Sequence, residues 1–105
     1  MDNKIILTDL KNHLQKQFKN IIKDIILFGS HAYGYSDKNS DYDILIIVKT
    51  KPDWKLKRLI SDLCYDIDLK YNIITDTHIL SETELETLRG KQPIFQNAIH
   101  NGIYA

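Results

Sequence analysis

The sequence predicts an α/β fold, classed as α+β in some schemes, with a small sheet flanked by helices. Two continuous apolar runs, residues 25–28 and 44–48, have the length and composition of buried strands. Segments whose apolar residues recur every three or four positions lie before and after these runs, as expected of amphipathic helices. Because strands and helices alternate and every linker is short, we expect residues 1–105 to form one domain. This pattern does not give the order of the strands.

A first amphipathic helix is expected near the N-terminus. Thr8 and Asp9 are typical of a helix start, and the pattern predicts that the helix continues to about Lys23. Its apolar stripe comprises Leu10, Leu14, Phe18, Ile21 and Ile22.

Two strands follow, separated by a polar loop. The first covers residues 25–28 and ends at Gly29, and Ser30 begins a short helical turn. The second covers residues 41–48 and is rich in β-branched side chains.

The next helix is expected to begin at an N-cap, Asp53, and to run to about Lys70. Its apolar stripe comprises Trp54, Leu56, Leu59, Ile60 and Leu63.

The last part of the chain contains one more strand and two helices. Residues 71–81 return to strand character. A short helix opens over residues 81–84 and ends at Gly90, and a final helix begins at Pro93 and continues to Gly102.

The composition excludes several classes of protein. Fourteen basic and fourteen acidic residues cancel, so broad binding of DNA or RNA is not expected. The longest apolar run, residues 44–48, is too short to span a bilayer, and too few apolar residues follow Lys4 for a secretion signal. We therefore expect a cytoplasmic protein. Cys64 has no second cysteine to pair with, so a buried core thiol is its expected role.

Asp41 and Asp43 are candidate metal ligands. Residues two apart on a strand point to the same face, so both carboxylates project together at the start of the second strand. Mg²⁺ is commonly held by one or two carboxylates together with substrate phosphates. The alternative is that both are turn residues beside a strand. Asp43 argues against this, because an unpaired carboxylate inside an apolar strand would lose its hydration.

Gly29 and Ser30 are candidate phosphate-binding residues. They follow a buried strand and open a short helix, so free backbone N–H groups and a hydroxyl face a position where an anion could bind. A glycine also lets a phosphate approach the backbone closely. A lone Gly-Ser dipeptide is equally common in turns. The order of strand, Gly-Ser, loop and paired-aspartate strand favours a nucleotide site.

This order, from residues 27–34 through 40–44, resembles the signature of the polymerase-beta-type nucleotidyltransferase superfamily, and most of all its minimal, antitoxin-type nucleotidyltransferases. The resemblance implies a polymerase-beta-like fold with a small mixed sheet flanked by helices. It implies that Gly29 and Ser30 hold the triphosphate and that Asp41 and Asp43 bind Mg²⁺. A third acidic residue on a later strand would complete a two-metal site.

Asp76 is the expected third carboxylate, because it lies in the next strand, whose interior does not otherwise favour aspartate. Asp66 and Asp68 are the alternatives. They fall near the end of an amphipathic helix, and we interpret them as solvated surface charges. His78 shares a face with Asp76 in a regular strand and could orient its carboxylate or contact the nucleotide.

The resemblance also implies a function: Mg²⁺-dependent transfer of a nucleoside monophosphate, AMP from ATP, to a hydroxyl acceptor. In minimal nucleotidyltransferases the acceptor is often a tyrosine of a HEPN-type helical toxin, and the transferase is then the antitoxin. Without a second domain, a partner must present the acceptor. The alternative is a non-catalytic antitoxin that blocks a helical partner by contact. A transferase for small molecules, similar to antibiotic nucleotidyltransferases, is a third hypothesis.

Overall fold

Helices and strands alternate along the chain in the computed structural model, which describes residues 3–37 and 39–105. The elements are α1 (Asn3–Gln17), β1 (Ile22–Phe28), α2 (Ser30–Tyr33), β2 (Tyr42–Val48), α3 (Trp54–Tyr71), β3 (Thr75–Ser81), α4 (Pro93–Asn101) and β4 (Ile103–Tyr104). A 3₁₀ turn, Thr83–Glu86, follows β3. No helix among the described residues is long and apolar enough to cross a membrane.

The strands form one mixed sheet in the order β3-β2-β1-β4. The central pair, β1 and β2, is antiparallel, as is the pair of β1 and β4, whereas β2 and β3 run parallel. α3 makes the crossover that a parallel pair requires. The expected α/β class, with a small mixed sheet flanked by helices, is thereby confirmed.

One face of the sheet is covered by α1 and α3. The buried side chains Ile6, Leu10 and Leu14 of α1 pack there with Ile60 and Ile67 of α3. Cys64 belongs to the same cluster and is 2% exposed, which confirms its expected place in the core. Burial raises the pKa of its thiol to about 11.

The opposite face is covered only in part. Phe95 and Ala98 of α4 pack against Phe28 and Leu45 at its centre. β1 ends at Phe28 on this face, at the end of the sheet where β2 and β3 begin. That end of the sheet is where the candidate residues lie.

Several predicted boundaries are wrong. The short helix expected from residue 81 to Gly90 is only the 3₁₀ turn Thr83–Glu86, because Ser81 still belongs to β3. α1 ends at Gln17 rather than Lys23, because Ile22 pairs with Val48 and so extends β1 by three residues. Thr8 and Asp9 lie inside α1 rather than at its start, since Ile6 and Leu7 already belong to its buried stripe. β3 begins at Thr75 rather than at residue 71, because Asn72 takes a left-handed backbone and ends α3.

The predicted set of apolar residues with which α3 packs on the sheet is also partly wrong. Asp53 caps the helix as expected, and its side chain accepts a hydrogen bond from the Leu56 backbone N–H at 2.8 Å. Trp54 and Leu59, however, are exposed, because the face of α3 that meets the sheet is centred on Ile60 and Cys64.

Candidate active site

The turn at Gly29 joins β1 to α2 in a conformation that suits glycine. Its φ of +74° lies in the region that other L-residues rarely adopt. The Gly29 carbonyl accepts hydrogen bonds from the N–H groups of Ala32 and Tyr33, which close the first turn of α2. Because the first N–H groups of a helix have no partner within it, those at Ser30 and His31 are available to an anion.

The register of the sheet brings two candidate carboxylates together. Asp43 is opposite Phe28 in β1 on one side and opposite Asp76 in β3 on the other. Neighbouring strands lie about 4.8 Å apart, and directly opposed residues point to the same face. Asp41 lies two residues before Asp43, just outside β2, and is exposed. Asp76 therefore lies beside Asp43 on the same face of the sheet.

Gly29 and Asp43 are in close contact. A Cβ atom built onto Gly29 would lie 2.0 Å from Oδ2 of Asp43 and 2.9 Å from its Cγ. The Asp43 carboxylate thus occupies the space that a side chain at position 29 would need. The predicted phosphate turn and the predicted metal ligand are in this way packed against each other.

Asp43 lies in a region of concentrated negative charge. Burial raises its pKa above the ordinary value, and the negative charges of Asp76 and Asp41 raise it further, while His78 and His31 act in the opposite direction. The ionised form of Asp43 is therefore less favourable at this position than it would be in water.

His78 sits beside Asp76, as the strand periodicity predicts. Its Nε2 is 3.5 Å from Oδ2 of Asp76. The imidazole ring lies between two aromatic rings, with centroid distances of 5.8 Å to Phe28 and 5.6 Å to Phe95. This packing fixes the ring, so His78 can restrict the orientation of the Asp76 side chain.

A second histidine links the Gly29 turn to Asp41. The ring of His31 stacks on Tyr42 at a centroid distance of 3.6 Å, and its Nε2 is 2.9 Å from the backbone oxygen of Ser40. These contacts hold the loop before Asp41 against α2. No sequence pattern indicated this pairing.

Asp66 and Asp68 were both interpreted as solvated surface charges. This is correct for Asp66, which is exposed and pairs with His13, but it is wrong for Asp68. The Oδ1 of Asp68 accepts a hydrogen bond at 3.1 Å from the backbone N–H of Thr75, the residue before Asp76. Burial raises the pKa of Asp68, and the negative charge of Asp41 acts in the same direction. Asp68 thus anchors the start of β3 near the candidate ligands.

The donor set fits Mg²⁺. Asp41, Asp43 and Asp76 would provide hard oxygen ligands, and a cation would offset both the burial and the neighbouring negative charges that raise the pKa of Asp43. Across residues 3–37 and 39–105, no three His, Cys, Asp or Glu side chains are gathered closely enough to hold a metal ion by themselves. A site that shares its ion with substrate phosphates does not need such a cluster.

A cavity of about 810 Å³ opens beside Asp41, on the Tyr42 side of β2. Its lining combines the aromatic residues Tyr42 and Tyr71 with the polar residues Ser40, Asp41 and Asn72. A lining with both apolar and polar residues can bind a ligand that has an apolar body and polar groups. The cavity and the Asp43–Asp76 pair lie on opposite faces of the same end of the sheet, and Asp41 borders both.

Sequence comparison identifies similar proteins. Residues 8–103 match the family model described as "Polymerase beta, Nucleotidyltransferase". Two proteins of Methanocaldococcus jannaschii, each named "Putative protein adenylyltransferase", are similar to this chain. One is 36% identical over 78 residues, which are 74% of this chain and 79% of the relative. The other is 31% identical over 102 residues, which are 97% of this chain and 96% of the relative.

Two solved structures share the fold. A crystal structure of a toxin–antitoxin with AMP-PNP contains a chain that aligns with a TM-score of 0.58 at 20% identity, over 98% of this chain and 72% of that chain. A mutant of the toxin–antitoxin MntA-HpeT aligns with a TM-score of 0.60 at 16% identity, over 92% of this chain and 69% of that chain. At these identities the likeness concerns the fold alone.

Proposed function

The chain belongs to the polymerase beta nucleotidyltransferase family, and from this premise we propose that it transfers AMP from ATP to a tyrosyl hydroxyl of a HEPN-type helical toxin. It thereby acts as an antitoxin. The observation that carries the proposal is the strand register, which sets Asp43 opposite Asp76 and beside the Gly29 turn. The names of the two similar archaeal proteins favour a protein acceptor.

In this proposal Gly29 and Ser30 bind the triphosphate. The backbone at Gly29 can approach a phosphate closely, and the N–H groups at the start of α2 donate hydrogen bonds to its oxygens. The hydroxyl of Ser30 adds a further donor. The turn thus orients the α-phosphorus toward Asp43, which contacts Gly29 directly.

Asp41, Asp43 and Asp76 are the residues that would hold Mg²⁺. When bound, Mg²⁺ would neutralise the negative charge on the attacking and leaving oxygens. The protein's own contribution is to hold three carboxylates at one end of the sheet, which β2, β3 and the hydrogen bond from Thr75 to Asp68 maintain.

Asp76 also receives the proton from the acceptor. The hydroxyl oxygen forms a bond to the α-phosphorus, the bond from that phosphorus to the β-phosphate oxygen breaks, and pyrophosphate leaves. The hydroxyl proton passes to the Asp76 carboxylate, which His78 orients from 3.5 Å.

The acceptor comes from a partner protein. The described residues form one sheet with its covering helices, and residues 1–105 act in this proposal as one nucleotidyltransferase domain. The open end of the sheet, next to the aromatic cavity beside Asp41, is where the partner presents its tyrosine.

The test is transfer of labelled AMP from ATP to a co-expressed helical toxin in the presence of Mg²⁺. The chain should label the toxin, and Asp43→Ala should abolish both the labelling and the neutralisation of the toxin. The matched control is Asp66→Ala, because Asp66 is exposed on α3 and pairs with His13 of α1, outside the candidate active site.

Two results would contradict the proposal. If Asp43→Ala loses transfer but still neutralises the toxin, the chain is an antitoxin that acts by contact. If the chain labels no acceptor with ATP and Mg²⁺, the transferase activity itself is refuted.

A further inference from the structure

The outer face of α3 carries a row of large side chains that nothing in the described chain covers. Trp54 is 70% exposed, Tyr65 59% and Leu69 66%. With Arg58 they follow one another at spacings of four, seven and four residues, so they lie on one side of the helix. The buried residues Ile60, Cys64 and Ile67 occupy the opposite side. We call Trp54, Arg58, Tyr65 and Leu69 the α3 stripe.

The α3 stripe is symmetric about its own centre. Trp54 and Leu69 are equidistant from the peptide bond between Ser61 and Asp62, and so are Arg58 and Tyr65. If a second α3 lies antiparallel across this centre, Trp54 of one copy meets Leu69 of the other. Arg58 then meets Tyr65, an arrangement that allows a cation–π contact. The small side chain of Ser61 allows the helices to approach closely.

The charges of α3 have the same symmetry. Its first half carries the basic residues Lys55, Lys57 and Arg58, and its second half carries the exposed acidic residues Asp62 and Asp66. Arg58 and Asp62 make no ion pair with any residue in the described part of the chain. Antiparallel pairing brings the basic half of each helix to the acidic half of the other, whereas parallel pairing would oppose like charges.

We propose that α3 is a homodimer interface, in which the α3 stripe packs antiparallel against the α3 stripe of a second copy about a two-fold axis beside Ser61. A second copy fits this face because its apolar ends and its charges are both self-complementary, which is the requirement of an isologous contact. The occupant of this surface is thus the same chain.

The dimer is weak. α3 has 18 residues, so the contact is about 27 Å long. A single pair of helices of this length buries less than the roughly 1,200 Å² of a standard interface. The monomer should therefore predominate in dilute solution and the dimer at high protein concentration.

Sedimentation equilibrium over a range of concentrations tests the proposal. The wild-type chain should show a monomer–dimer equilibrium, and Trp54→Ala should raise its dissociation constant by about ten-fold or more, since each dimer loses two aromatic anchors. Leu88→Ala is the matched control, because Leu88 is 91% exposed but lies outside α3, and it should change nothing. A chain that stays monomeric at every concentration, or an equal effect of Leu88→Ala, overturns the proposal.

Charge exchange tests the antiparallel register. Arg58→Glu and Asp62→Arg should each raise the dissociation constant several-fold, because each places a charge of the same sign against the facing half of the partner helix. The double variant should recover most of the loss, because it restores one charge of each sign to this face of α3. Failure of the double variant to recover would refute the charge complementarity of the antiparallel pair.

Disulfide cross-linking gives a second test of the register. Ser61→Cys should form a cross-linked dimer under mild oxidation, because the two copies of residue 61 lie beside the axis. Asn20→Cys, in the turn before β1, is the control and should not cross-link. The native Cys64 does not interfere, since it is buried and its pKa is raised to about 11. If α3 binds only other proteins and Ser61→Cys stays monomeric, the proposal is wrong.

Discussion

Substitution of Gly29 by alanine is the sharpest single test of how the site is built. The new Cβ would lie 2.0 Å from Oδ2 of Asp43, whereas ordinary contact begins at 3.4 Å, so the carboxylate must move by about 1.4 Å. A misplacement of roughly 1 Å in a catalytic group costs on the order of 100-fold in rate. We therefore expect Gly29→Ala to lower kcat for AMP transfer by about 100-fold or more.

The backbone strain of this variant must be separated from the displacement of Asp43. Gly34 provides the control, because its φ of +83° is equally unsuited to alanine but nothing lies within 4 Å of an added Cβ. Each substitution should cost about 1–3 kcal/mol of stability through strain. Thermal unfolding measures this cost, and steady-state transfer of labelled AMP measures the rate.

The two variants should then differ only in activity. Gly34→Ala should transfer AMP at close to the wild-type rate, whereas Gly29→Ala should transfer it slowly even at saturating ATP. If Gly29→Ala keeps the wild-type rate, or if both variants lose activity equally, the packing of Gly29 against Asp43 has no catalytic role.

Substitutions at three carboxylates give further predictions. Asp43→Asn should abolish transfer. Without Mg²⁺ it should nevertheless raise Tm at pH 7, because burial raises the pKa of Asp43 and its ionised form destabilises the fold. The gain in Tm should vanish below pH 3.8, where the wild-type Asp43 carboxyl is protonated in both the folded and the unfolded chain. Asp68→Ala should lower the free energy of unfolding by about 1 kcal/mol and slow transfer, because it removes the acceptor of the Thr75 N–H. Asp68→Asn keeps an acceptor and should cost less. If urea unfolding gives the two variants the same free energy of unfolding, the hydrogen bond does not have this role. Asp9→Asn should lower Tm at pH 7, because hydrogen bonds from Lys70 and Tyr71 lower the Asp9 pKa, and the difference from wild type should disappear as the pH falls below 3.8.

The parts of the site that were predictable depend on local chain geometry. Asp41 and Asp43 are two residues apart, and Gly29 and Ser30 follow an apolar run, so strand periodicity and turn chemistry suffice to identify them. The N-cap at Asp53 was predictable for the same reason, since its partner is the Leu56 N–H three residues away.

The parts that were not predictable depend on contacts between distant residues. The hydrogen bond from Thr75 to Asp68 crosses the turn between α3 and β3, so sequence alone gave no reason to separate Asp68 from Asp66. The choice of Asp76 followed from strand character, but its position opposite Asp43 required the register of β2 with β3. No periodic signal marks the two-residue strand β4, which pairs with the middle of β1.

Boundaries failed where tertiary packing overrides local signals. Thr8 and Asp9 resemble a helix start, but the burial of Ile6 and Leu7 extends α1 toward the N-terminus. Trp54 and Leu59 fit a helical apolar pattern, but α3 packs on the sheet through Ile60 and Cys64. Trp54 and Leu59 therefore remain exposed.

The position of the label in ATP tests the central claim most directly. The chain, Mg²⁺ and the helical toxin are incubated with ATP labelled at either the α- or the γ-phosphate. A nucleotidyltransferase built on Asp41, Asp43 and Asp76 should place the α-label on the toxin and release the γ-label as pyrophosphate. Transfer of the γ-label to protein, or α-label transfer that survives Asp43→Asn, would contradict the account.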